Sequence, residues 1–380
     1  MQIVKLSNNI DIKNYLKKLD VDNGGINILS SKVKTHLIEI KNLHVGAANI
    51  LKQDALSIGA DLAVPRGTVI AKTSHVDCLL IATTKQVKTL SRKELAQPFG
   101  LKDLAIYLQS ILKVKKQSSV DIMGVINAND DSFFSGSRFS GVDAIKTIEK
   151  MIQDGATIID IGGVSSAPNS LHVDKEDELK RVKPILELIK KEKLYERVDF
   201  SIDSYEPIVI KEALECGFKI VNDITGLAND EVCELCAKYK AKVVIMHMQG
   251  NPQTMQDKPS YEDVLVEVND FFKQRIDKAK GFGIDEIVLD VGIGFGKTLQ
   301  HNLELIKNLE HFKTLGYPLL VGASRKSMID KISPSSPNER LAGTITLHVE
   351  AVKNGADILR VHDVYEHVQA VKVLEALDTI

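Results

Sequence analysis

The sequence predicts a (β/α)8 barrel preceded by a smaller N-terminal domain of α/β or α+β type, and three observations carry that expectation. From residue 119 onward, short continuous apolar runs recur eight times, as parallel strands buried on both faces require. Stretches with apolar residues at helical spacing separate them. Several of those stretches end in a glycine just ahead of the next run, at Gly155, Gly217, Gly283, Gly316 and Gly355. Glycine adopts the left-handed conformation without a Cβ penalty, so it marks a helix-to-strand turn. Eight such units in about 262 residues match the usual size of a closed barrel. An open doubly wound sheet is the runner-up. The regular count and the missing dinucleotide fingerprint favour closure.

The first part of the chain does not announce a function. Residues 35–41 alternate like a half-buried strand, 45–58 carry helical spacing ending at Gly59, 77–83 read as a second strand and 102–112 as a helix. His44 and His75 join no constellation there. The polar run 115–119 is the expected linker, giving an accessory domain at 1–115 and a barrel at 116–380.

The expected barrel strands are 120–127, 157–163, 198–203, 219–224, 242–248, 286–292, 318–323 and 357–363. Two of the intervening helices illustrate the pattern. Residues 142–153 place Ile145, Ile148, Met151 and Ile152 on one face, and 301–315 place Leu305, Ile306, Leu309 and Phe312.

Composition excludes several classes. Of 380 residues, 44% are hydrophobic and 26% charged, and the net charge is −2, so neither nucleic acid nor an anionic membrane is expected as a partner. The N-terminus is broken by polar residues and fits no signal peptide, and no run reaches membrane-span length. A cytoplasmic location is the expectation. Cys233 and Cys236 form a C-x-x-C, but it falls in a helical stretch with no second pair, so we read it as packing rather than metal or redox chemistry.

Polar residues gather at the strand ends: Asn127, Asp160, Asp203, Asn222, His247, Asp290, Ser324 with Lys326, and Arg360 with His362. In a barrel of this kind the carboxyl ends of the strands form the active-site mouth. Any one such residue could merely cap a helix. Convergence from every strand argues for a site. After Asp290 the chain turns through Gly292, Gly294 and Gly296 into Lys297. This is no P-loop, because the glycine needed five residues before Gly296 is Val291, and the spacing also fails the dinucleotide pattern.

Aspartates and asparagines together suit a planar heterocycle with N–H groups and ring nitrogens. Lys326, Arg360 and His362 follow strands 7 and 8, where barrels often bind phosphate. No motif indicates a tight transition-metal site or a serine nucleophile. The composite is a ring-binding floor with an anion-binding rim, suited to displacing a phosphate leaving group.

The stretches MGVINANDDSF (123–133), IIDIGG (158–163), SIDS (201–204), VNDITGL (221–227), MHMQGNPQTMQ (246–256), LDVGIGFGKTLQHNLEL (289–305), LLVGASRKSMI (319–329) and RVHDVYEHVQAVKV (360–373) resemble dihydropteroate synthase, in order and over about two-thirds of the chain. The resemblance implies condensation of 6-hydroxymethyl-7,8-dihydropterin diphosphate with p-aminobenzoate, giving 7,8-dihydropteroate and pyrophosphate for folate synthesis. It implies pterin contacts from Asp203, Asn222, Met246, Asp290, Phe295 and Lys326, and pyrophosphate contacts from Asn127, Arg360 and His362. Phe295, Ser324 and Pro168 would line the p-aminobenzoate pocket, where sulfonamides compete. Asp131 and Asp160 would support the first loop or the metal region. Asp203, Lys326 and Arg360 would carry catalysis. Mg2+ bound by Asn127, small-molecule substrates and a homodimer are also implied.

The sequence departs from the family pattern in two loops. Asn127-Ala128-Asn129-Asp130-Asp131-Ser132-Phe133 lacks the Thr-Pro pair, and Gly162-Gly163-Val164-Ser165-Ser166-Ala167-Pro168 lacks the glutamate and arginine. A third change, Val291 between Asp290 and Gly292, affects rigidity at most. Two alternatives stand beside the synthase. One is a methyltetrahydrofolate-type methyltransferase, which has no need of Lys326, Arg360 and His362. The other is a pterin-binding paralogue that has lost turnover.

Overall fold

A computed structural model describes residues 1–8, 10–114, 119–128, 141–165 and 173–378. The chain divides into two compact units, Met1–Lys115 with Glu375–Ile380, and Lys116–Leu374. Among the described residues no helix is long and apolar enough to cross a membrane.

In the first unit, β1 (Thr35–His44), β2 (Asp61–Ala63) and β3 (His75–Thr83) form an antiparallel sheet of order β1-β3-β2. Both expected strands are present and slightly longer than expected. Alternate residues of β3 (Val76, Cys78, Leu80, Ala82) are buried with Leu51, Leu90, Leu101 and Leu108 of helices Val45–Ser57, Thr84–Lys93 and Leu101–Lys113. The sequence reading missed helix Thr84–Lys93, although its Thr83–Gln86 capping box was a legible start signal. It also missed β2, whose three residues are too few to show a period. His44 caps helix Val45–Ser57 by accepting from Gly46 N–H and stacks on Phe99, so its role is packing.

The second unit is the closed barrel. Its parallel strands are β4 (Asp121–Asn127), β5 (Ile158–Gly162), β6 (Asp199–Asp203), β7 (Ile220–Asp223), β8 (Lys242–Met246), β9 (Ile287–Asp290), β10 (Leu319–Val321) and β11 (Ile358–Val361). They pair in sequence order, and β11 closes onto β4 with Ile358 opposite Asp121 and Arg360 opposite Met123. Each expected strand appears, trimmed at its ends. The five turn glycines take φ between 80° and 106°, the left-handed region that their placement required. The expected helix over 301–315 is interrupted: Leu299–Lys307 ends at Asn308 and a short turn of helix, Glu310–Lys313, follows. Its four apolar positions are nonetheless all buried.

Side chains alternate across a strand, so residues two apart share a face. Met123, Ile158, Ile220, Val244, Val288, Leu320 and Ile358 form one apolar layer inside the barrel. Two residues further along stand Val125, Asp160, Asn222, Met246, Asp290, Gly322 and Arg360, where the interior turns polar. Outward-facing residues such as Phe200, Ile202, Val243 and Leu289 join the helices in a separate, larger core. Cys233 and Cys236 lie in that outer core on helix Asp230–Tyr239, and burial pushes the Cys236 thiol up to about 12, keeping it protonated. Leu320→Ala should cost the barrel about 2–5 kcal/mol, because the closed interior cannot collapse around the cavity; urea denaturation of the barrel transition checks it, and a loss near zero would remove Leu320 from the inner layer.

Candidate active site

A cavity of about 270 Å³ opens at the carboxyl ends of the strands. Asn127, Asp203, Phe295, Ser324, Lys326, Arg360 and His362 all line it. Their convergence follows from strand parity: Asn127, Asp203, Arg360 and His362 continue the inward-facing registers of β4, β6 and β11.

Arg360 is the hub. Its Nε donates to Asp160 Oδ2 and its Nη2 to Asp203 Oδ2, each at 2.6 Å. Asp160 Oδ2 also accepts from Asn222 Nδ2 at 3.2 Å, tying β5, β6, β7 and β11 into one polar network. Asp160 is fully buried, and its Oδ1 has no hydrogen-bond partner among the described residues. One cation cannot neutralise two carboxylates. Burial, reinforced by Asp160 and opposed by Arg360, pushes Asp203 up to about 7. Burial works against the Arg360 charge, but Asp160 and Asp203 outweigh it and hold the guanidinium protonated. Arg360 was expected as a pyrophosphate ligand; the structure adds that it organises the two aspartates.

Asp290, at the end of β9, accepts from Gly292 N–H through Oδ1 at 2.8 Å. Burial raises its carboxyl, and the Gly292 N–H works against that rise. Lys326 donates to the Ile293 carbonyl and lies 4.4 Å from the centroid of the Phe295 ring. Burial lowers it to about 8 despite Asp290. Ser324 Oγ lies 2.9 Å from His362 Nδ1 and accepts from His362 N–H. When the Ser324 hydroxyl donates to Nδ1, Nε2–H is left as a donor. Burial, then Arg360, lowers His362 to about 4, so it is neutral at physiological pH.

Met246, Asn222 and Asp290 are all buried and are not among the residues that line the cavity. His247, grouped with the mouth from sequence, faces the other way. Its ring packs on Phe271 and near Tyr261, because it is one residue out of phase with inward-facing Val244 and Met246. Asp131 and Pro168 lie outside the described residues, as does much of both altered loops.

The glycine loop is held from several sides. Gly294 N–H donates to Asn302, Gln256 donates to the Gly294 carbonyl, and the Tyr261 hydroxyl donates to the Gly296 carbonyl. At Gly292, with φ of 66°, an added Cβ would lie 1.9 Å from the His247 carbonyl oxygen, so only glycine fits. Beneath this loop lies a residue that the sequence reading did not single out. Lys297 is buried, and its Nζ reaches His247 Nδ1 at 2.9 Å, the His247 carbonyl at 3.2 Å and the Phe295 carbonyl at 2.9 Å. A charged amine has three donors for these three acceptors and a neutral amine has two. Burial lowers Lys297 to about 7 from 10.5, with Asp290 opposing and Lys326 assisting. Burial and Lys297 together lower His247 to about 3.

A lysine whose folded pKa is depressed weakens the fold when charged, and the cost is relieved as pH rises above the folded value. Wild type should therefore gain about 2 kcal/mol relative to Lys297→Met between pH 7 and pH 9. Paired denaturant melts measure this, and parallel pH curves would show that Lys297 keeps an ordinary pKa.

A family model for pterin binding enzymes matches residues 123–362. The chain is 42% identical over 376 residues to a bifunctional dihydropteroate synthase/dihydropteroate reductase of Helicobacter pylori, with 99% of each chain covered. It is 44% identical over 258 residues to the dihydropteroate synthase of Escherichia coli, covering 67% of this chain and 90% of that one. The crystal structure of Yersinia pestis dihydropteroate synthase in complex with a sulfonamide drug matches with a TM-score of 0.67 and 37% identity, over 69% of this chain and 96% of that one. The barrel, the buried acceptor floor and these relatives agree: the chain belongs to the dihydropteroate synthases, the pterin-binding transferases of folate biosynthesis.

Proposed function

We propose that the barrel mouth condenses 6-hydroxymethyl-7,8-dihydropterin diphosphate with p-aminobenzoate through the following division of labour. Asp203, Asn222 and Asp290 hold the pterin edge, with Lys326 and Phe295 beside the ring. Asn127, Arg360 and His362 receive the diphosphate, and Ser324 and Phe295 border the amine. The observation that carries this reading is a cavity lined by Asn127, Asp203, Ser324, Lys326, Arg360 and His362, in which the Arg360 guanidinium joins Asp203 to the buried Asp160.

The reaction breaks the bond from the pterin methylene to the diphosphate oxygen and forms one from that carbon to the amine nitrogen, which then loses a proton. Positive charge developing on the methylene and ring is stabilised by Asp203 and Asp290. Arg360 and His362 face the charge growing on the leaving diphosphate. The aromatic amine is a weak base and needs mainly positioning, which the Phe295 and Lys326 wall supplies.

Mg2+ is part of the proposal. Among the described residues no group of three or more His, Cys, Asp or Glu could hold a metal ion. The Asn127 amide oxygen on the cavity wall is a hard donor, and Mg2+ commonly binds through one or two protein oxygens plus substrate phosphates and waters. Asn127 therefore suits it, and Mg2+ would neutralise diphosphate charge there. Cytoplasmic residence and a homodimer complete the reading.

The H. pylori relative aligned over 99% of both chains also carries dihydropteroate reductase in its name. Because that alignment includes the N-terminal unit, we infer a second activity here: hydride and proton addition across a C=N bond of dihydropteroate, with a nicotinamide or reduced flavin as the two-electron donor. Incubation of dihydropteroate with each donor should give tetrahydropteroate. Failure with every donor would confine the chain to condensation.

The first test is pyrophosphate release with the pterin diphosphate and Mg2+, with and without p-aminobenzoate. Amine-dependent release accompanied by dihydropteroate is expected. Tight pterin binding without turnover would instead favour a lapsed paralogue. Asp290→Ala should weaken pterin binding about 10- to 100-fold, since a buried ring donor loses its charged acceptor; unchanged affinity would misplace the ring. Asp203 must be ionised to stabilise the positive charge developing on the methylene, and its raised pKa of about 7 places that form above neutrality. Accordingly, kcat/KM for the pterin substrate should fall as pH drops through about 7, and a profile flat to pH 5 would contradict this role.

A further inference from the structure

We infer that His348 and His367, a buried pair outside the cavity lining, are positioning residues that pin the turn after β10 from behind and so place Ser324 and Lys326 for the reaction. This rests on the barrel mouth being a dihydropteroate synthase site. Ser324 and Lys326 both line the cavity, and the residue between them, Arg325, has φ of 56°. A residue with a Cβ enters that left-handed region at a cost, and it stays there only when the surroundings impose it.

The surroundings that impose it come mostly from helix Leu341–Lys353. Ala323 N–H donates to His348 Nε2 at 3.0 Å and Arg325 N–H donates to Thr344 Oγ1 at 2.9 Å. Thr344 and His348 are four residues apart, so they share one face of the helix, and both are buried. Arg340, just ahead of the helix, donates through Nη1 to the Arg325 carbonyl at 3.1 Å. The backbone on either side of Ser324 is therefore fixed from one direction.

His348 passes the restraint on. Its Nδ1 lies 2.9 Å from His367 Nε2, and His367 Nδ1 lies 2.5 Å from the Asp363 carbonyl oxygen. The Asp363 carboxylate returns to the turn, accepting from Arg325 Nε at 3.0 Å and from Nη2 at 2.5 Å. The circuit also fixes both tautomers. A backbone N–H can only donate, so His348 Nε2 accepts and its proton sits on Nδ1. That proton goes to His367 Nε2, which leaves the His367 proton on Nδ1 for the carbonyl. Burial lowers both imidazoles from the ordinary histidine value, His348 furthest, so both are neutral. Charging either ring would set two donors face to face. A single acceptor for Ala323 N–H would leave its own second nitrogen unpaired in the core. The second imidazole supplies that partner and ends the chain on a carbonyl.

The test uses the full chain with Mg2+, the pterin diphosphate and varied p-aminobenzoate, with active sites counted by binding of the pterin diphosphate. His348→Leu removes the acceptor for Ala323 N–H and should raise the KM for p-aminobenzoate about three- to tenfold, because Ser324 borders that ring. His348→Gln sets an amide oxygen near the place of Nε2 and should restore most of the loss. Thr344→Val, an isosteric change on the same helix face, should move KM in the same direction, and it decides the matter if His348→Leu does not fold. A pair that only stabilises the fold would lower the number of active sites at constant KM, so an unchanged KM in the folded variants overturns the assignment. Nitrogen-15 spectra of histidine-labelled wild type should show both rings neutral with the proton on Nδ1, and an Nε2–H tautomer at either ring would overturn the circuit. Wild type without amine-dependent pyrophosphate release would instead refute the reading of the site, and this inference with it.

Discussion

The mouth of this barrel depends on one guanidinium shared between two carboxylates. Arg360 on β11 reaches Asp160 on β5 and Asp203 on β6, and Asn222 on β7 joins through Asp160. No local segment of chain could make this arrangement. It exists because β11 closes onto β4, bringing the last strand within reach of strands formed some 160 to 200 residues earlier. Burial, opposed by Arg360 and reinforced by Asp160, pushes Asp203 up to about 7, so a ligand that supplies donors or takes up the guanidinium changes its state. Breaking one arm of such a buried network exposes the other carboxylate to an uncompensated charge, so the network is both a structural and a functional constraint.

The glycine loop after β9 solves a different problem. It must bring backbone close to the end of β8 while placing Phe295 and Lys326 against each other. Gly292 allows the approach, since a side chain there would collide with the His247 carbonyl. Lys297 then fastens the loop from below, joining the β8 end to the Phe295 carbonyl. A buried lysine is an expensive fastener, yet its three donors match three converging acceptors that would otherwise be left unsatisfied. Rigidity at this loop holds one wall of the cavity and keeps the Phe295 ring against Lys326.

Much of the site was legible because the strand period is two. The inward residues of successive strands run from the apolar layer of Met123, Ile158, Ile220, Val244, Val288, Leu320 and Ile358 to the polar one above it. Asp160, Asp203, Asn222, Asp290, Arg360 and His362 all fall in phase with that layer, and their chemistry pointed to a ring and a phosphate. The same parity, applied strictly, would have excluded His247, which is one residue out of phase with Val244 and Met246 and packs on Phe271. In the N-terminal unit the Thr83–Gln86 capping box was a readable signal for a helix passed over, whereas β2 was too short to show any pattern.

The sequence by itself determined the βα repeat, the turn glycines, the barrel and the identity of the polar residues at the strand ends, because these follow from local periodicity and from backbone conformations open only to glycine. Tertiary structure alone decided which of those residues pair. It gave Asp160 and Asp203 to the same guanidinium and turned Lys297 beneath the loop onto His247. The reason is physical: charge state and partner choice depend on burial and on distances across the closed barrel, and neither is encoded in the spacing of residues along a strand.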